Sequence, residues 1–94
     1  MLNNKDKSEL RKLAQTKRPL FQIGKDGISE NMIKTVGDSL EAHELVKLSL
    51  LKTCTCSVNE AAIELSAQTH SEVVQTIGRT FTLYRKSKKN KLGM

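Results

Sequence analysis

Two β-rich runs, Glu72 to Ile77 and Thr80 to Arg85, are separated by Gly78 and Arg79 alone. A two-residue connection makes the runs pair antiparallel, and glycine in its first place suits a type II′ turn. The end of the chain is thereby committed to a sheet. The earlier apolar segments must join that sheet or cover it.

Leu10, Leu13 and Ala14 recur at helical spacing among Lys5, Lys7, Arg11 and Lys12, which predicts an amphipathic helix from Lys5 to Thr16. Lys17-Arg18-Pro19 ends it, because the residue before a proline avoids the helical region. Leu20 to Ile23 is then a short strand. Ser29 is placed to cap a second helix reaching His43, with Ile33, Val36 and Leu40 on one face and Glu30 at the positive end of the helix dipole. Gly37 falls on that apolar face, which suggests close packing on the sheet, and His43 is read as a partner of the last helical carbonyls.

Leu45 to Leu51 alternates as a strand, with Val46, Leu48 and Leu50 on one side and Lys47 and Ser49 on the other. Lys47 is read as a solvated sheet residue or a ligand contact, and Tyr84 as an edge-of-core residue or an exposed platform on which a ligand could stack. Thr53 to Cys56 is a loop. Ser57-Val58-Asn59-Glu60 has the capping-box pattern and opens a third helix ending near Thr69. The order α-β-α-β-α-β-β describes an α/β domain: a four-stranded mixed sheet with three helices packed on it.

Ninety-four residues suit one domain, and with one Tyr, two Phe and no Trp the core must be aliphatic. No apolar run has the length of a membrane span, and Met1 to Lys7 lacks the features of a signal peptide, so a cytoplasmic protein without a membrane partner is expected. Cys54 and Cys56 are one residue apart, which fits neither a disulfide framework nor zinc spacing; reduced thiols and no metal or other cofactor are expected. His43 and His70 stand far apart, and neither a Ser/His/Asp nor a paired-carboxylate arrangement appears. The expectation is a non-enzyme with no small-molecule substrate, and a monomer, since no dimerisation heptad is visible.

The net charge of +6 is unevenly spread. Residues 1–27 carry seven Lys/Arg against three Asp/Glu, residues 28–77 three against seven, and residues 78–94 six against none. If both basic ends fold to one side, they make a surface suited to a polyanion. The tail, residues 86–94, is either part of that surface or a solvated extension of a domain spanning residues 1–85.

Gln22-Ile23-Gly24-Lys25-Asp26-Gly27-Ile28-Ser29 carries the candidate site. A Walker loop is excluded, because Pro19 stands where its first glycine belongs and Asp26 where Ser or Thr should follow the lysine. Two readings remain. Asp26-Gly27 is a common turn dipeptide. Alternatively, glycines between a strand and a helix N-terminus let a phosphodiester backbone approach without obstruction by Cβ, as in the G-x-x-G loop of KH domains, with Lys25 adding charge. Asp26 is the discordant member, since a carboxylate beside RNA is unfavourable unless it caps the helix behind it.

Arg18 to Gly27, His43 to Lys47 and Val73 to Arg85, taken together and in that order, resemble the YhbY family, the free-standing bacterial form of the CRM domain of chloroplast RNA splicing and ribosome maturation proteins. The resemblance implies a fold similar to the C-terminal domain of translation initiation factor three. It also implies a non-catalytic RNA-binding role, with precursors of the large ribosomal subunit and their rRNA as partners. Carried over by position, the RNA-binding residues are Gly24, Lys25, Asp26 and Gly27, with Arg11, Lys12, Lys17, Arg18, Arg79 and Arg85 as the basic surface. No motif covers Thr53 to Ser71. A different reading treats the acidic second helix, with Glu30, Asp38, Glu41 and Glu44, as a dock for a basic ribosomal protein.

Overall fold

The computed structural model describes residues 4–16, 18–25, 27–53 and 57–85. Lys17, Asp26, Cys54, Cys56 and the tail 86–94 lie outside the described residues. The elements follow the expected order: α1 (Asn4–Gln15), β1 (Phe21–Ile23), α2 (Glu30–His43), β2 (Leu45–Leu50), α3 (Val58–Thr69), β3 (Glu72–Ile77) and β4 (Thr80–Tyr84).

The hairpin forms as its turn requires. Gly78 takes φ +56°, Ile77 faces Thr80 across the turn, and the Thr80 hydroxyl donates to the Ile77 carbonyl at 2.7 Å. The sheet order is β1-β2-β4-β3, with β1 parallel to β2 and the other pairs antiparallel. Three-residue β1 thus lies at one edge, with Pro19 just before it, and a short edge preceded by a residue without an N–H offers little to stray strands.

The sheet is covered on both faces. Ile23, Val46, Leu48, Leu50, Phe81 and Leu83 pack against Val36 and Leu40 of α2 and Ala61, Ala62 and Leu65 of α3. On the reverse face, Leu10 and Ala14 of α1 meet Leu45, Val74 and Tyr84. The alternation of β2 accounts for this division, since successive side chains point to opposite faces. In β3 the period is broken at Val74, which has no partner between the pairs Val73–Leu83 and Gln75–Thr82. Val74 lies on the α1 face, and the register shift after it carries Ile77, opposite Thr80, to the same side, where Ile77 stays 60% exposed.

Both predicted caps are present. The Ser29 hydroxyl accepts from the Met32 N–H and the Ser57 hydroxyl from the Glu60 N–H, each at 3.1 Å, satisfying donors that a helix start otherwise leaves open. Gly37 departs from expectation. A Cβ there would meet nothing within 4 Å, so close packing does not explain it.

Candidate nucleic-acid interface

β1 runs from Ile23 into Gly24, and the Gly27 N–H returns to the Gly24 carbonyl at 3.0 Å, closing a four-residue turn before α2. Gly27 has φ +69°, a region that costs an L-residue about 1–2 kcal/mol, so backbone geometry demands this glycine. Gly24 is different. Its φ lies outside the left-handed region, and a Cβ there would reach only ordinary contact, 3.4 Å from Leu51 Cδ1 and 3.7 Å from Thr53 Oγ1. Among the described residues, neither backbone geometry nor packing excludes a Cβ at position 24. Lys25, between them, is exposed.

Ladder bonds bring two further cations to this end of the sheet. The Leu51 N–H donates to the Ile23 carbonyl at 2.8 Å, and the Leu50 N–H donates to the Arg79 carbonyl at 2.7 Å. Exposed Lys52, next to Leu51, and exposed Arg79 at the hairpin tip therefore flank the end of β2 beside the glycine turn. Sequence reasoning passed over Lys52, because a lone lysine after a strand carries no local signal. Its position follows only from the pairing of β1 with β2.

The other expected contacts are dispersed. Arg11 and Lys12 are exposed on α1, and exposed Arg18 precedes β1 at the opposite end of the sheet from the turn. Lys47 projects from the α1 face, where its Nζ donates to the Ala14 carbonyl at 3.3 Å; it is half-buried rather than fully solvated. Arg85 is tied into the fold. Its Nη1 donates to the Thr69 carbonyl at 2.9 Å, its Nη2 donates to the Gly37 carbonyl at 2.7 Å, and Glu41 Oε2 lies 3.5 Å away. A guanidinium so engaged joins the end of β4 to α2 and α3 and is not an open surface cation. Among the described residues, Arg79 stands near Lys25 at the glycine turn, whereas Arg85 is held within the fold.

The acidic face of α2 is also smaller than the sequence suggests. Glu44 is fully buried at the helix C-cap with φ 66°, its carbonyl accepting the Arg85 N–H at 2.9 Å, and Glu41 pairs with Arg85. Glu30 and Asp38 remain exposed. Tyr84 is core, not a stacking platform: it is 4% exposed and its hydroxyl finds no hydrogen-bond partner among the described residues. Burial first, then the nearby carboxylates Glu44, Asp6 and Glu72, push its phenol above the ordinary value.

Residues 2–85 match the CRS1/YhbY (CRM) domain family. The chain belongs to that family. It is 46% identical over 91 residues to the probable RNA-binding protein YqeI of Bacillus subtilis, covering 97% of this chain and 95% of that one. It is 29% identical over 91 residues to an RNA-binding protein of Haemophilus influenzae, covering 97% and 92%. The solution structure of a hypothetical Staphylococcus aureus protein, a candidate RNA-binding protein, superimposes with a TM-score of 0.82 at 49% identity, covering 98% of this chain and 96% of that one. Among the described residues of this CRM domain, no group of three or more His, Cys, Asp or Glu side chains is disposed to hold a metal ion. None of their helices is long and apolar enough to cross a membrane.

Proposed function

We propose that this CRM domain is a non-catalytic RNA-binding protein that joins precursors of the large ribosomal subunit during assembly, acting as a cytoplasmic monomer without a cofactor. The observation that carries the RNA-binding part is Gly24, a position without a side chain that the fold does not itself require, beside exposed Lys25, Lys52 and Arg79. Absence of Cβ there lets an RNA backbone lie against the end of β1, while the cations meet its phosphates. Few exposed aromatic rings are available, so binding rests on backbone charge and shape, with modest sequence preference. The RNA-binding names of the relatives support the same reading. The assembly role rests on the resemblance of the sequence to the bacterial members of the family.

Two measurements test the two parts. Fluorescence anisotropy with labelled rRNA fragments should show weaker binding for Gly24→Ala and Lys25→Ala at unchanged thermal stability; normal affinity in both folded variants removes the site. Sucrose-gradient sedimentation of cell extract should place the protein with large-subunit precursors, and its absence from them refutes the assembly role.

A further inference from the structure

At the opposite end of β2 from the glycine turn lies a pocket of about 250 Å³, lined among the described residues by Arg18, Leu20, His43, Leu45 and Lys47. Leu20 extends β1 through its N–H bond to the Lys47 carbonyl at 2.8 Å and stays 58% exposed, on the same side of the sheet as Lys47. Leu45, buried at the start of β2, continues this floor inward. Around it stand a guanidinium, an imidazole and an ammonium, and none of the five residues is a carboxylate. The Lys47 Nζ bond to Ala14 ties that wall to the end of α1, so part of the rim is held in place beforehand.

An apolar floor under a cationic rim suits a ligand that is flat and apolar on one part and anionic on another. The volume falls just below the range of about 300–1,000 Å³ typical of drug-sized ligands, which fits one small ring system. The planar groups of Arg18 and His43 are the kind on which an unstacked base is held, and Arg18 also meets phosphate. β2 separates this pocket from the glycine turn by roughly 17 Å at about 3.3 Å per residue. β1, an edge strand of the sheet, runs between them.

Resting on the RNA-binding reading above, we infer that this pocket is a second RNA site, which takes one splayed nucleotide with its base on Leu20, at the edge of buried Leu45, and its phosphate at Arg18. A single strand following the β1 edge then touches the protein at both ends, at the glycine turn through its backbone and at the pocket through a base.

Methyl and amide NMR of the full chain tests this with uridine 5′-monophosphate, uridine, inorganic phosphate and a single-stranded RNA oligonucleotide. The expected result is saturable shifts of the Leu20 and Leu45 methyls with the nucleotide and the oligonucleotide, and no such shifts with phosphate alone. Leu20→Ala, at an exposed position, should lower oligonucleotide affinity at least about fivefold. Three outcomes overturn the inference. The leucine methyls stay still while the Gly24 and Lys25 amides respond to the oligonucleotide, which leaves the RNA reading intact. Phosphate alone reproduces the nucleotide shifts. Neither end responds to RNA, and the RNA-binding reading fails as well.

Discussion

The Arg85 guanidinium donates to the Gly37 carbonyl at 2.7 Å, across 48 residues of sequence, and thereby fastens the end of β4 to the middle of α2. Its second arm holds the Thr69 carbonyl at the end of α3. Arg85→Ala should cost about 2–3 kcal/mol, since hydrogen bonds involving a charged group contribute about 1.5–3 kcal/mol each and the site is partly open to water. Thermal unfolding should show a Tm lower by about 10–20 °C. Arg85→Lys should recover only part of the loss, because an ammonium lacks the planar fork. RNA affinity of the folded fraction should be unchanged, which separates this structural role from the contact expected from sequence.

Gly37→Ala should stabilise the protein. Space for the methyl is open and the backbone bond to Arg85 is untouched, so the helix gains the difference between glycine and alanine, about 0.5–1 kcal/mol, readable as a higher urea midpoint.

The two glycines of the turn should behave oppositely. Gly27→Ala meets the positive φ and should lose about 1–2 kcal/mol, whereas Gly24→Ala should leave stability within about 0.5 kcal/mol. If the turn lies on RNA, Gly24→Ala should nevertheless weaken binding. Equilibrium unfolding and anisotropy on the same samples compare the two effects.

Lys25, Lys52 and Arg79 should act as phosphate contacts. Affinity should fall steeply with salt, and each alanine substitution should flatten the plot of log K against log salt by roughly 0.7, the value for one contact to a single strand. Binding titrations between about 50 and 200 mM salt measure it. An unaltered slope for Lys52→Ala would remove that residue from the interface.

Tyr84 predicts an alkaline effect. Its phenol is raised in the folded protein, so its contribution is complete below the unfolded value of about 10 and is lost as pH rises through the folded value, because the unfolded chain gives up its proton first. Tyr84→Phe should remove that loss. It should be neutral or stabilising at pH 7, since the buried hydroxyl has no partner among the described residues. Unfolding by urea at a series of pH values compares the two proteins.

The amino-acid sequence by itself determined every element in order, the two-residue hairpin at Gly78-Arg79 and the caps at Ser29 and Ser57. These depend on periodicity, turn chemistry and side-chain bonds spanning three residues, all within reach of neighbouring positions. Only the tertiary structure decided what the cations do. Arg85 and Arg79 look alike along the chain, yet one is bound to carbonyls of α2 and α3 while the other stands exposed at the hairpin tip. Lys52 joins Lys25, and Leu20 joins Lys47 and Leu45, through β1–β2 pairing. A charge on a long side chain has no preferred partner until the sheet closes, and contacts across tens of residues depend on that closure.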